Sequence, residues 1–225
     1  MALGDEKKLI YLSIMNGRVV QRVHSSTEGA VSRENKKGDT VFEKTSGYVV
    51  GTIEGISCIE SKEYDDQYKI LLTDFESKPI EEYALYVTKS GLSSVTAAII
   101  GRLRVIDYNR PVMISPFLGK NGKGEDKTYC TVKQKDPNTG KWVVVPAEFT
   151  KEKPGEMPPL TQTTFNNKPA LDGTLRVRFY DRLVEIANNK LKEVNQLVGR
   201  DRQEEVIKKL ADEIPNEAGG DDLPF

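Results

Sequence analysis

Leu9-Ile10-Tyr11-Leu12-Ser13-Ile14-Met15-Asn16-Gly17-Arg18-Val19-Val20-Gln21-Arg22-Val23 reads as two short runs of β-branched and aromatic residues on either side of Asn-Gly. That dipeptide tolerates positive φ at both positions, which a two-residue type I′ turn requires, so the stretch predicts a β-hairpin. Working outward, Thr40–Thr45, Tyr48–Ile59, Tyr68–Asp74 and Glu82–Thr88 are further predicted strands, all rich in Val, Ile, Tyr and Thr. Residues 25–40 are polar and predict an exposed loop. Gly51 and Gly55 lie within the longest run and predict a strand that bends or bulges, as a small barrel requires.

The period changes at Ser93–Val105. Val95, Ala98, Ile99, Arg102, Leu103 and Ile106 recur every three or four residues behind a potential Ser93 N-cap, which predicts one short helix. Strands resume at Val112–Phe117 and at Thr128–Gln134 with Lys141–Pro146, the last two forming a hairpin about the turn formers Asp136-Pro137-Asn138-Thr139-Gly140. Residues 1–150 therefore predict a β-rich body. Residues 151–171, with Pro154, Gly155, Pro158, Pro159 and Asn166-Asn167, predict an irregular connection. From Asp172, a potential cap, Leu175, Phe179, Leu183, Ile186, Leu191, Val194 and Val198 form a helical stripe that Gly199 is placed to stop. Val206, Ile207, Leu210 and Ile214 predict a second helix, so 172–215 is read as C-terminal helices packed on the body and 216–225 as a flexible acidic tail.

In 225 residues, 37% are apolar and 30% charged, with 33 Lys+Arg against 34 Asp+Glu, the composition of a well-solvated protein. No apolar run approaches the ~20 residues that span a bilayer, and Met1–Gly17 lacks the order of a secretory signal. Cys58, Cys130 and the single histidine, His24, cannot by themselves assemble a four-ligand zinc site or a disulfide scaffold. Asp201–Phe225 holds eight acids and three bases, so the remainder carries +4 in a chain of net charge −1. A mildly basic body with an acidic end is a layout associated with nucleic-acid contact and interaction tails, or simply with a solvated last helix.

Motifs of catalysis are absent: no GxxxxGK[ST] loop, GxSxG elbow, HExxH helix or CxxC pair occurs. Asp65-Asp66 and Glu81-Glu82 lie in or beside predicted turns, where adjacent residues diverge, so they read as solvated charge. The chain is expected to be no enzyme and to need no cofactor or metal. What remains is a set of cations interleaved with aromatics. Single-stranded nucleic acid exposes phosphates and base faces together, so its binders line a groove with Lys and Arg and offer rings for stacking. Lys133, Lys135, Lys141 and Trp142 cluster at the last body hairpin with Tyr129 at its base. Lys120, Lys123 and Lys127 occupy the preceding Gly-rich loop, and Arg18 and Arg22 follow the first turn. The plainer alternative makes Tyr11, Phe75 and Trp142 core residues and the lysines solubilising loop residues.

The last five residues, Asp221, Asp222, Leu223, Pro224 and Phe225, resemble the acidic tip that ends bacterial single-stranded DNA-binding proteins, with Leu223 in place of the usual isoleucine. Phe225 can enter an apolar pocket while its α-carboxylate pairs with a base, and the two aspartates meet a basic rim. The body is unlike the bacterial family, whose domain is shorter and whose linker is long and Gly/Gln-rich; the whole is more similar to the diverged single-stranded DNA-binding proteins of bacteriophages. That resemblance implies a mainly β chain with C-terminal α-helices, its body an elaborated OB-fold (a five-stranded β-barrel) with extra hairpins. It implies largely sequence-independent binding of single-stranded DNA in replication, recombination and repair, in the cytoplasm (the host cytoplasm for a bacteriophage protein), with the tip recruiting replication and recombination proteins. No membrane partner is expected; a homo-oligomer is compatible. A strand-annealing or recombination-mediator protein, and an adaptor or virion component that binds only protein, stay open as alternatives.

Overall fold

The computed structural model describes residues 9–35, 38–60, 65–150 and 153–212, with side chains placed as far as residue 196. The chain is mainly β with a C-terminal helix. One ten-stranded sheet runs β10-β9-β8-β5-β6-β7-β1-β2-β4-β3, and a separate hairpin pairs β11 with β12. The strands are β1 Leu9–Met15, β2 Arg18–Val23, β3 Val31–Glu34, β4 Thr40–Ser46, β5 Val49–Ile59, β6 Gln67–Asp74, β7 Glu81–Thr88, β8 Val112–Lys120, β9 Asp126–Lys135, β10 Trp142–Val144, β11 Thr161–Phe165 and β12 Lys168–Asp172. Helices are α1 Ser94–Ile100 and α2 Thr174–Asp212.

The first hairpin forms as its sequence dictates, with φ of 48° at Asn16 and 70° at Gly17. β5 is the pivot of the sheet. It pairs with β8 over Val49–Gly51 and with β6 over Thr52–Ile59, and its register slips between Ile53 and Gly55, the bulge that the paired glycines predicted. Strands β5, β6 and β7 form an antiparallel meander, and β7 then pairs in parallel with β1. The sheet curls but does not close. No ladder joins β2 to β8, yet the Gly17 N–H donates to Thr128 Oγ1 at 3.1 Å. A Cβ on Gly17 would stand 2.5 Å from the Leu118 nitrogen, so only glycine fits where this turn meets β8.

Inside the curl, Leu12, Val19, Ile53, Ile70, Leu85, Val112, Ile114 and Val132 join Val95, Ile99 and Ile100 of α1 and Phe179, Tyr180, Leu183 and Leu191 of α2 in one core. Ser93 caps α1 by accepting from the Thr96 N–H, as expected. α2 covers the stretch of β5 that β8 leaves unpaired. The Asn188 side chain accepts from the Ile56 N–H at 3.1 Å and donates to the Ile56 carbonyl at 2.7 Å, substituting for a neighbouring strand. Asp181 accepts from the buried Tyr68 hydroxyl at 2.9 Å and pairs with Lys89 at 3.1 Å. Burial and that carboxylate together push the Tyr68 phenol far above its usual range.

Three expectations are corrected. Part of the loop predicted over 25–40 is strand β3, paired to β4 with Arg33 held by Glu43 at 2.6 Å. Within the connection read as irregular over 151–171, residues 161–172 form a hairpin whose turn residues Asn166 and Asn167 have φ of 49° and 59°. Two helices are one: α2 runs through Gly199 to Asp212, since an interior glycine costs only ~1 kcal/mol relative to alanine. Asp172 does accept from the Thr174 N–H at 2.8 Å at its start. Residues 213–225, including the tip Asp221, Asp222, Leu223, Pro224 and Phe225, lie outside the described residues. Among the described residues no helix is long and apolar enough to cross a membrane.

Candidate nucleic-acid interface

Strand β9 sorts its residues by alternation. Cys130, Val132 and Gln134 point into the core and are buried, whereas Lys127, Tyr129, Thr131, Lys133 and Lys135 fall on the opposite face. The ladder carries that face sideways: Phe117 lies opposite Tyr129, Met113 opposite Lys133 on β8, and Trp142 opposite Lys135 on β10. Five of the residues named from sequence, Lys127, Tyr129, Lys133, Lys135 and Trp142, thus share one surface. Its aromatic content is ordered. The Tyr129 ring stacks beside Phe117 at 5.8 Å between centroids and 25° between planes, and it lies over Gly119, where a Cβ would approach its Cδ2 to 2.9 Å. Lys135 Nζ sits 5.6 Å from the Trp142 centroid, within cation–π reach.

The cations are not equivalent. Lys135 is paired with Glu76 at 2.6 Å, and Lys120 with Asp126 at 2.7 Å near the β8–β9 tip. Lys123, Lys127, Lys133 and Lys141 make no ion pair among the described residues. Lys123 and Lys127 line a groove of about 830 Å³ together with Leu92 and the β11–β12 hairpin. Lys141 follows a turn that Asp136 holds by accepting from the Thr139 and Asn138 amides, contacts that also keep its carboxyl below the ordinary range.

Arg18 and Arg22 stand on β2 with Val20 between them, both exposed and on the face away from Val19. The Gly17 turn joins them to β8–β9. Continuing along the same side of the sheet, Ser13 pairs with Tyr86 and Lys69 with Tyr86 across β1, β7 and β6. Tyr11, 60% exposed, stacks on Tyr86 at 6.3 Å and 27°. Tyr11 and Phe75, the latter 56% exposed, are therefore not core residues, and Trp142 is only half-buried. A groove of about 580 Å³ lined by Met15, Gln67, Tyr86, Ser93, Lys127 and Thr128 links this second aromatic pair to β9.

Sequence reasoning missed Phe117, Tyr86 and Lys69. Phe117 ends a predicted strand, but its place opposite Tyr129 comes only with the β8–β9 ladder; Lys69 meets Tyr86 through the β6–β7 ladder, and Tyr11 joins them through the parallel β1–β7 ladder. Among the described residues no group of three or more His, Cys, Asp or Glu side chains is arranged to hold a metal ion. Comparison with protein-family models, with curated proteins and with solved structures finds no match.

Proposed function

We propose that the chain is a non-catalytic binder of single-stranded DNA, acting largely without sequence preference in replication, recombination or repair. The observation that carries the reading is the shared face of β8, β9 and β10, where Lys127 and Lys133 alternate with the Phe117–Tyr129 stack and Trp142. Phosphates track unpaired ammonium groups, and sequence tolerance follows because every base has a π-face to stack. The second platform, Tyr11 and Tyr86 beside Lys69, extends the path along the same side of the sheet.

The same reading takes the curled sheet as an elaborated, partly open OB barrel. In its favour are a long bulged strand, β5, shared by β6 and β8; the antiparallel β5–β6–β7 meander; and α1 lying between β7 and β8 in the chain with its apolar face in the core. The N-terminal hairpin then fills the gap between β7 and β8, and β3, β4 and β10 are additions. The OB-fold binding surface on its second and third strands corresponds to β6 and β7, which carry Lys69 and Tyr86. The acidic tip is proposed to recruit partner proteins.

Titration of a labelled oligonucleotide into the full chain at two salt concentrations tests the reading. Binding that weakens steeply with salt, and that prefers single strands to duplex, is expected. No binding at low salt, or equal affinity for duplex, overturns it.

A further inference from the structure

The β11–β12 hairpin stands apart from the main sheet. All five residues of β11 are exposed, and Phe165 at its end is 70% exposed. A two-stranded hairpin by itself is marginal in water, so its two free edges decide its fate.

Those edges differ. Asn166 and Asn167 both have positive φ, so Phe165 and Lys168 close a type I′ turn as a hydrogen-bonded pair. Alternation along the ladder makes Thr163↔Ala170 and Thr161↔Asp172 hydrogen-bonded pairs, and Thr164↔Pro169 and Gln162↔Leu171 non-hydrogen-bonded ones. The backbone groups of Pro169 and Leu171 therefore face out from β12, and proline has no N–H to offer there. Lys168 and Asp172 add charge to the same strand. On β11 the outward groups are the N–H and C=O of Gln162 and Thr164, on a strand with no proline and no charge. None of these four groups has a hydrogen-bond partner among the described residues.

We propose that this edge pairs with the same edge of a second copy of the chain, antiparallel about a two-fold axis at Thr163. The register is self-complementary. Gln162 pairs with Thr164 of the partner subunit and Thr164 with Gln162 of the partner subunit, so each chain donates two N–H groups and accepts at two carbonyls. Thr163 meets Thr163 of the partner subunit as a non-hydrogen-bonded pair, where cross-strand threonines are favourable neighbours. Phe165 comes to lie against Thr161 of the partner subunit and loses exposed surface. Because Pro169 guards the far side, the addition stops at a four-stranded sheet, β12-β11-β11-β12, and yields a closed dimer rather than a filament. The contact is small against a standard interface, so the dimer is weak and concentration-dependent.

Sedimentation velocity of the full chain without DNA, from low-micromolar to near-millimolar concentration, is expected to show a monomer converting to a dimer. Thr163→Lys, which sets two ammonium groups face to face at the axis, and Gln162→Pro, which removes an outward N–H while sparing the bonds to β12, each abolish that conversion. In a Cys58→Ser background, Thr163→Cys forms an intermolecular disulfide on diamide treatment. The axis holds its Cα atoms about 4.5 Å apart, inside the roughly 4.4–6.8 Å that a disulfide spans. Ala170→Cys on the guarded strand does not crosslink. A chain monomeric at every concentration, a dimer that survives both substitutions, or crosslinking as fast at Ala170→Cys as at Thr163→Cys overturns the proposal. Each readout is taken without DNA, so none of these outcomes bears on the DNA-binding reading.

Discussion

Stacking and phosphate neutralisation leave different signatures, and the β9 face lets them be separated residue by residue. Tyr129 is braced by Phe117 and lies over Gly119, so its ring is ordered before any base arrives. Tyr129→Ala should therefore lose the full worth of a stacked base, about 1 to 3 kcal/mol, or roughly five- to 150-fold in affinity at ~1.4 kcal/mol per tenfold. Tyr129→Phe keeps the ring and should bind as the parent does. Neither should alter the salt dependence. Lys127 and Lys133 make no ion pair among the described residues, so their double replacement by glutamine should reduce the slope of log affinity against log salt by about 1.4, at ~0.7 per phosphate contact on single strands. With Lys120 and Lys135 already neutralised by Asp126 and Glu76, the named cations left to meet phosphate are Arg18, Arg22, Lys69, Lys123, Lys127, Lys133 and Lys141. These seven bound their joint contribution to the slope at about 5. Fluorescence anisotropy across a salt series, with each variant's fold checked by circular dichroism, measures both quantities. A Tyr129→Ala variant that is folded and binds with parental affinity would refute the stacking role. An unchanged slope in the double lysine variant would move the DNA path off β9.

Trp142 is the only tryptophan and shares the β9–β10 face, so saturation with oligonucleotide should quench its emission; an unchanged spectrum would leave it as a partner of Lys135 alone. Gly17→Ala combines a left-handed φ of 70° with a Cβ 2.5 Å from the Leu118 nitrogen, and should cost more than the ~1 to 2 kcal/mol of the backbone term by itself, read from urea denaturation. Parental stability would mean that the turn does not seat on β8. The Tyr180 hydroxyl is buried without a hydrogen-bond partner among the described residues, so Tyr180→Phe should hold or raise Tm, whereas a loss above ~1 kcal/mol would reveal a bond to that oxygen. The proposed role of the acidic tip predicts that deleting Asp221–Phe225 tightens DNA binding at low salt, through loss of two negative charges, and abolishes capture of a replication or repair partner. Weaker DNA binding on deletion would put the tip inside the DNA site.

Local signals in the sequence carried through where one ladder or one turn decides the outcome. Asn16-Gly17 demanded a type I′ turn and made one; Ser93 capped α1; the alternation in Lys127-x-Tyr129-x-Thr131-x-Lys133-x-Lys135 put four of the candidate residues on one face. Where the reading failed, a weak local preference was opposed by something stronger or more distant. Gly199 reads as a stop signal, yet its cost is only ~1 kcal/mol against the hydrogen bonds of a 39-residue helix. Asn166-Asn167 was submerged in a Pro- and Gly-rich segment, although two adjacent asparagines, each tolerant of positive φ, supply the same turn as Asn-Gly. Tyr11 was weighed as core, but with Leu12 facing inward, alternation sends Tyr11 outward.

Most of the candidate surface therefore depends on which strands become neighbours. Tyr11 and Tyr86 are 75 residues apart and meet only because β1 pairs in parallel with β7, the edge of the β5–β6–β7 meander. The same pairing swings the Asn16-Gly17 turn round to Thr128, bringing Arg18 to the margin of the β8–β9 face. One hairpin thus supplies an aromatic for one platform, an arginine for the other and the contact that sets their separation. The whole surface rests on where that hairpin sits. Damage at Gly17 should consequently weaken binding of long oligonucleotides, which need both platforms, more than binding of short ones held by Tyr129 and Phe117 alone.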